Sequence, residues 1–210
     1  MPTLFGATYS VYVRIVRLAL EEKGVPYRLE EIDIFAPGGP PPGYLERHPF
    51  GRIPAFEHGD IRLFEAAAIC RYVDDAFDGP RLTPSEPAPM ALMAQTIGML
   101  DSYAYRALVW DVYVELIAKP REGAMADRDR VACGMRTAEI VIGVLDSQLA
   151  GHCYLVGDEL TLADLHAWPM ADDFLMTEPG RDLVERHGRV AKWASMMADR
   201  PASRGTAFPA

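Results

Sequence analysis

Two predicted helix starts carry side chains suited to binding an anion or a zwitterion. Ser10 precedes a helix, and its hydroxyl together with the positive end of the helix dipole can stabilise a negative charge. Glu65 and Ala66 begin another helix, whose free amides favour a carboxylate while the Glu65 side chain can accept an ammonium group. Ordinary interpretations remain open, because serine is a common N-cap and a glutamate at a helix start also interacts with its own dipole.

Other catalytic and metal-binding signatures are missing from the sequence. The five histidines show no metal-ligand spacing, and the three cysteines form no Cys-x-x-Cys pair. There is no phosphate-binding loop, no dinucleotide Gly-x-Gly-x-x-Gly and no Gly-x-Ser-x-Gly elbow. We therefore expect no metal and no disulfide framework, and we expect Cys70, Cys133 and Cys153 to be small, partly buried core residues.

The composition limits the classes of partner. Half of the 210 residues are hydrophobic, which is enough for a sizeable core. Thirty acidic residues against 21 basic ones give a formal charge of -9, so we expect no nucleic-acid partner. No apolar run approaches the roughly 20 residues that a bilayer span needs, and residues 1–6 do not have the character of a signal peptide. We expect a cytosolic protein that does not bind membranes.

The first part of the chain predicts a β-α-β-β-β-α order. Helical spacing predicts helices at 11–23 and 66–77, and short apolar or alternating runs predict strands at 2–6, 27–34, 53–56 and 61–64. A Pro- and Gly-rich loop at 37–43 separates the second and third strands. With a proline opening the third strand, this order is typical of an α/β thioredoxin-like domain, which we place at residues 1–78.

The rest of the chain predicts a different kind of domain. We assign residues 79–88 to a linker and residues 89–210 to an all-α helical domain, because almost every later segment has helical composition. Long helices are predicted at 90–117 and 128–149, and a last one at about 182–199. Thr161 to Asp164 form a capping-box pattern at the start of a helix that should run to about Phe174.

Several motifs together resemble those of soluble glutathione transferases. The most specific is the run Pro49 to Pro54, Pro-Phe-Gly-Arg-Ile-Pro, followed eleven residues later by Glu65. The segment Ser10 to Arg14 resembles the serine-bearing first helix of the phi class and its bacterial relatives. Val156 to Asp158 and the capping pattern resemble the buried motif of the helical domain in this family. The resemblance covers most of the chain and implies a glutathione transferase fold.

The resemblance also implies the residues of a glutathione site. Ser10 would be the catalytic residue, donating a hydrogen bond to the glutathione thiolate, with Tyr9 and Tyr12 as rival donors. A cis bond before Pro54 would turn the Ile53 amide and carbonyl outward to pair with the cysteinyl backbone. The full set of implied glutathione-binding residues is Tyr12, Arg52, Ile53, Pro54, Glu65 and Ala66.

The chain departs from the family pattern at several of these positions. Ala66 stands where relatives usually have a serine or threonine, so one hydroxyl donor to the γ-glutamyl group is lost. Gly39 and Pro40 replace the phi-class His-Lys pair, which removes a contact to the glycine carboxylate. Arg52 replaces the usual glutamine, and it either contacts that carboxylate or is solvated.

The resemblance implies conjugation of glutathione, as co-substrate, to a small hydrophobic electrophile. It also implies that the protein is a homodimer. The helical domain would supply the electrophile pocket, with no metal involved. Two alternatives remain open at this point. The same site would serve another glutathione-dependent reaction, such as peroxide reduction, dehalogenation or isomerisation, or the chain would be a non-catalytic binding module that kept the fold.

Overall fold

The computed structural model describes residues 1–208, which form two compact units. The first unit comprises Met1–Thr83 together with residues 201–208, and the second comprises Pro84–Arg200. The change of unit after Thr83 falls inside the segment that the sequence analysis assigned to a linker. Residues 201–208 differ from the expectation, because they group with the first unit and were assigned to the helical domain.

The first unit is built on a four-stranded mixed sheet. Its strands are β1 (Thr3–Phe5), β2 (Arg28–Glu30), β3 (Ala55–His58) and β4 (Ile61–Phe64), in the spatial order β2-β1-β3-β4. β1 and β2 are parallel, whereas β3 is antiparallel to both β1 and β4. The predicted β-α-β-β-β-α order is confirmed, and so is the thioredoxin-like arrangement of this unit.

Two helices complete this unit, α1 (Val11–Glu22) and α2 (Ala66–Ala76). They pack against each other, and α1 buries nearly all its aliphatic side chains, including Ile15 and Leu18 at 0% exposure. Gly24 ends α1 with φ 68°, the left-handed conformation that a helix C-terminus favours. A short 3-10 turn (Tyr44–Glu46) follows the Pro- and Gly-rich loop.

Residues 201–208 return to α1 and contact it directly. They include the short helix α9 (Pro201–Gly205), whose backbone carbonyls accept hydrogen bonds from two arginines of α1. Arg14 Nη2 donates to Ser203 O at 3.4 Å, and Arg17 Nη2 donates to Gly205 O at 3.2 Å. The Arg14 guanidinium also lies over the Phe208 ring, 4.6 Å from its centre. Residues 201–208 therefore help to fix the position of α1, the helix that begins directly after Ser10.

The second unit is helical throughout its regular structure. One long helix begins as α3 (Pro87–Met99), continues as a π-helical segment (Leu100–Ala118) and ends in the short α4 (Lys119–Arg121). The remaining helices are α5 (Arg128–Gln148), α6 (Leu162–Leu175), α7 (Glu178–Glu185) and α8 (Gly188–Ala198). Within residues 1–208, no helix is both long enough and apolar enough to cross a bilayer.

The predicted capping pattern at the start of α6 is present. The Asp164 carboxylate accepts from the Thr161 amide at 3.0 Å and from the Thr161 hydroxyl at 2.9 Å. It also accepts from the Leu155 amide at 2.9 Å and from Trp193 Nε1 at 3.0 Å. With four donors around it, this fully buried carboxylate joins the start of α6 to the preceding loop and to α8.

The single last helix predicted at 182–199 was wrong, because the structure breaks it into α7 and α8. The break lies at His187, whose φ of -112° and ψ of 78° are not helical. Its ring Nδ1 lies 3.0 Å from the Leu183 carbonyl, and Gly188 begins the next helix. Histidine and glycine have low helix propensity, so interrupting the helix at these two residues costs little free energy.

Close packing of α5 on the π-helical segment depends on a glycine. A Cβ added at Gly134 would lie 2.8 Å from Asp111 Cβ and 3.0 Å from Ala107 O, closer than side chains normally approach. Gly143 lies on the same helix, but a Cβ there would meet no atom within 4 Å. Only the first of these two glycines is required by the packing.

Candidate functional site

The register of the sheet brings the candidate residues of the first unit to one end. Phe5 of β1 is paired with Ala55 of β3, and Ala55 is paired with Phe64 of β4. Because β3 is antiparallel to both neighbours, β1 and β4 end where β3 begins. The segments that continue from this end of the sheet lead to Ser10, Ile53–Pro54 and Glu65. We call this the site end of the sheet.

Contacts at Gly6 show how closely these segments approach. Gly6 follows β1, and a Cβ added to it would lie 3.4 Å from Ile53 Cβ and would clash with a methyl group of Val13 in the first turn of α1. The absence of a side chain at Gly6 therefore lets the loop before Ser10 lie directly against Ile53. The structure thus brings together the start of α1 and the segment before β3.

Ser10 is the N-cap of α1 and is half-buried. Its Oγ accepts a hydrogen bond from the Val13 amide at 3.4 Å, and its own amide donates to Ala7 O at 3.0 Å. Because Oγ acts as an acceptor in this contact, the hydroxyl proton can be donated to another group. Tyr12 lies in the first turn of α1 and is also half-buried.

Tyr9 donates its phenolic proton to another partner. Its hydroxyl forms a 2.8 Å hydrogen bond with Asp33 Oδ1, between two largely exposed side chains. Burial, and then the Asp33 carboxylate, raise the pKa of Tyr9 above its usual range. A phenol has one proton to donate, so this contact occupies the donor that a bound anion would need.

The peptide bond between Ile53 and Pro54 is cis, as the resemblance implied. Both residues are buried, and β3 begins at the next residue, Ala55. Within residues 1–208, the structure shows no hydrogen bond from the Ile53 amide to another backbone group. The Arg52 side chain is exposed, whereas the Arg52 carbonyl accepts a hydrogen bond from the Tyr44 hydroxyl at 2.7 Å.

Glu65 has an unusual backbone conformation at the start of α2. Its φ is 70° and its ψ is 115°, and within residues 1–208 it is the only residue other than glycine with a positive φ. Its exposed side chain makes no capping hydrogen bond to α2. Ala66 follows as the first residue of α2 and is 4% exposed. Positive φ values in side-chain-bearing residues cluster at binding and catalytic sites.

His48 is a buried residue at this end that the sequence analysis did not single out. Its ring lies 5.0 Å from the Phe64 ring and 6.3 Å from the Phe50 ring, measured between centres. Burial lowers the pKa of His48, and this effect outweighs the nearby Glu65 carboxylate, which acts in the opposite direction. His48 Nδ1 has no hydrogen-bond partner among the described residues. Only the folded structure shows that His48 lies near Glu65, because the two residues are far apart in sequence.

The structure also tests the expectations about metals and cysteines. Within residues 1–208, no group of three or more His, Cys, Asp or Glu side chains could hold a metal ion. Cys70 is buried as expected, whereas the prediction was wrong for Cys133 and Cys153, which are exposed. Cys133 lies on the outer face of α5, and Cys153 lies in the loop before α6.

Family models match both units of the chain. The model for the glutathione S-transferase N-terminal domain matches residues 4–81, and the one for the C-terminal domain matches residues 113–201. The curated relatives include phi-class-like plant proteins. A glutathione S-transferase from Hyoscyamus muticus is 31% identical over 201 residues, which cover 95% of this chain and 94% of the relative.

Solved structures agree with this assignment. Glutathione transferase F7 from Populus trichocarpa is 27% identical, with a TM-score of 0.87 over 99% of this chain and 98% of that one. Glutathione S-transferase I from maize, in complex with an atrazine glutathione conjugate, is 28% identical, with a TM-score of 0.86 over 98% of this chain and 95% of that one. Together with the two domain models, these likenesses show that the chain belongs to the glutathione S-transferase family.

Proposed function

We propose that this chain is a glutathione transferase that binds reduced glutathione at the site end of the sheet and conjugates it to a small hydrophobic electrophile. The observation that carries the proposal is the convergence of Ser10, the Ile53 amide and the start of α2 at that end. The family uses glutathione as a co-substrate, and the maize structure holds a glutathione conjugate. No metal takes part in the proposed reaction.

The tripeptide would be held through its backbone and its charged ends. The Ile53 amide and carbonyl pair with the cysteinyl unit, in the way that an exposed strand end binds an extended peptide. The amides at the start of α2, with Ala66 first, receive the γ-glutamyl carboxylate, and the Glu65 carboxylate accepts from the ammonium group. The exposed Arg52 guanidinium is the nearest cation in sequence to this segment and would contact the glycine carboxylate.

Ser10 would stabilise the thiolate by donating its hydroxyl proton to the sulfur. A free thiol pKa near 9 must fall by about 2 for substantial ionisation at neutral pH, which corresponds to roughly 2.7 kcal/mol. A charge-assisted hydrogen bond and the dipole of α1 together supply an energy of this size. The thiol proton leaves to solvent, the thiolate electron pair forms a carbon–sulfur bond, and the leaving group departs with the displaced electron pair. Tyr9 is less suited because its proton is donated to Asp33.

Calorimetric titration with reduced glutathione, combined with ultraviolet absorbance of the bound thiolate against pH, tests this proposal. Wild type should bind and should show a lowered thiol pKa, and Ser10→Ala should return that pKa towards its free value. Ser10→Gly is a second variant, because glycine at an N-cap costs only a few tenths of a kcal/mol. Tyr9→Phe is the matched control and should leave the thiolate pKa unchanged. Failure of wild type to bind millimolar glutathione would refute the proposal.

A non-catalytic binding module is the second candidate, and specific residues favour it. Ala66 brings no hydroxyl to the start of α2, and Gly39 and Pro40 bring no cation to the loop before β3. If wild type binds glutathione but converts no electrophile, peroxide or halogenated substrate in a panel, this second candidate is favoured. Turnover of a peroxide or of a halogenated compound alone would instead favour another glutathione-dependent reaction.

The homodimer and the cytosolic location stay predictions. Phe50 and Leu45 support association, because these neighbouring apolar side chains are 73% and 57% exposed in the chain. Sedimentation equilibrium should give twice the mass of the chain, and Phe50→Ser should shift the equilibrium towards the monomer. A monomer at micromolar concentration would contradict the prediction of a dimer.

A further inference from the structure

A buried phenol holds the peptide unit that precedes the cis bond. Tyr44, in the 3-10 turn, is 2% exposed, and its hydroxyl donates to the Arg52 carbonyl at 2.7 Å. The turn itself is well anchored, since the Tyr44 carbonyl accepts from the amides of Arg47 at 2.8 Å and His48 at 3.1 Å. The position of the hydroxyl is thus fixed by the buried ring and by the backbone of the turn.

The geometry of a peptide unit connects this hydrogen bond to Ile53. The bond between Arg52 and Ile53 is not among the cis bonds of the described residues, so its carbonyl and amide point in opposite directions. Because the carbonyl faces the Tyr44 hydroxyl, the Ile53 amide must face away from it. Within residues 1–208, that amide makes no backbone hydrogen bond. The Ile53 amide is therefore held in one direction, and no backbone carbonyl among the described residues accepts its proton.

The same hydrogen bond makes the amide a better donor. Hydrogen bonds that share one peptide unit polarise each other, so a donor to the carbonyl strengthens donation by the amide. Burial raises the pKa of Tyr44, so the phenol keeps its proton and remains a donor at every ordinary pH. Phenylalanine would fill nearly the same volume, but it would leave the Arg52 carbonyl without this donor and the orientation of the peptide unit less restrained.

We propose that Tyr44 is a positioning residue, which aims the Ile53 amide at the cysteinyl carbonyl of bound glutathione without touching the substrate. This inference rests on the proposed function. It assigns a role in recognition to a residue that lies behind the site.

The test compares Tyr44→Phe with a matched loss of one phenolic hydroxyl elsewhere in the same unit. Tyr72→Phe is suitable, because the Tyr72 hydroxyl lies 3.0 Å from His58 Nδ1, and His58 ends β3 at the opposite end of the sheet. By calorimetry, Tyr44→Phe should bind glutathione about fivefold to tenfold more weakly than wild type, the usual effect of losing about one hydrogen bond. Tyr72→Phe should bind as wild type does.

A ligand-side comparison separates positioning from general loosening of the fold. In the trans-alkene isostere of the cysteinyl–glycine peptide, the carbonyl that the Ile53 amide would bind is missing. Wild type and Tyr44→Phe should bind this isostere with equal affinity, and wild type should bind it at least several-fold more weakly than glutathione. In ligand-free protein, the Ile53 amide resonance should move in Tyr44→Phe and stay in place in Tyr72→Phe.

Each outcome decides one of the two claims. If wild type does not bind glutathione, the proposed function fails, and the role of Tyr44 in recognition fails with it. If wild type binds, equal affinity of wild type and Tyr44→Phe for glutathione overturns only the role of Tyr44. Equal binding of glutathione and the isostere by wild type has the same meaning, and this comparison does not depend on how well the variant folds.

Discussion

The strained backbone at Glu65 predicts that stability and binding respond differently to two substitutions at one position. A φ of 70° with a ψ of 115° lies outside the small left-handed region that side-chain-bearing residues tolerate. Such a conformation costs about 1–3 kcal/mol when a Cβ is present. Glu65→Gly removes the Cβ, and Glu65→Ala removes the carboxylate but keeps the Cβ.

The expected magnitude follows from these two changes. Glu65→Ala should leave the free energy of unfolding within about 0.5 kcal/mol of wild type, because the side chain is exposed and makes no capping hydrogen bond. Glu65→Gly relieves the strain, but glycine loses about 0.5–1 kcal/mol more backbone entropy on folding. The glycine variant should therefore be more stable than the alanine variant by about 1 kcal/mol.

Thermal and urea unfolding of the three proteins measure this difference. About 1 kcal/mol corresponds to roughly 2–4 °C in melting temperature for a chain of this size. In calorimetry, both variants should bind glutathione more weakly than wild type, and to the same extent, since neither has the carboxylate. A glycine variant no more stable than the alanine variant would show that the strain at position 65 does not exceed the roughly 0.5–1 kcal/mol of backbone entropy that glycine loses.

Three further predictions follow from other residues. Ala66→Ser should strengthen glutathione binding about fivefold in calorimetry by adding one hydrogen-bond donor, whereas the control Ala68→Ser, on an exposed residue, should not. Gly134→Ala should lower the free energy of unfolding by about 1–3 kcal/mol through overpacking, whereas Gly143→Ala on the same helix should raise it by up to about 1 kcal/mol; equal effects in urea unfolding would contradict the packing argument. Because burial lowers the pKa of folded His48 below its ordinary 6.5, the unfolded chain takes up a proton more readily, and stability is lost as the pH falls below about 6.5. Urea unfolding from pH 7.5 to 5 should show a smaller loss for His48→Asn than for wild type, and parallel curves would be inconsistent with this shift.

Local sequence signals predicted the turns and element ends around the candidate site where the backbone requires a particular residue type. Gly24 ends α1 and Gly59 turns the hairpin between β3 and β4, both with a positive φ that glycine adopts readily. Pro54 also correctly marked the start of β3, and Ser10 correctly marked the start of α1. These signals depend on one to four neighbouring residues, so a single sequence is enough to detect them.

Features that depend on distant residues were missed or misplaced. The second strand was predicted over 27–34, but β2 covers only Arg28–Glu30, because its partner β1 offers three residues for pairing. Tyr44 lies in the 3-10 turn and His48 follows it, in a segment without any periodic pattern, and only the packed structure shows what they contact. The strain at Glu65 is likewise invisible in sequence, since glutamate has no preference for positive φ.

The return of residues 201–208 to α1 has a consequence for biosynthesis. The hydrogen bond between Arg14 and Ser203 spans 189 residues, so the ribosome must add that many residues after Arg14 before α1 receives this support. At a translation rate of roughly 5–20 residues per second, α1 remains without this support for on the order of ten seconds or more. During that time the sheet and its two helices can form, but the face of α1 that later meets Phe208 stays open to water or to a chaperone. A fragment ending at residue 83 would remain permanently in this state, so the first unit is not a module that can be cut out at its apparent boundary.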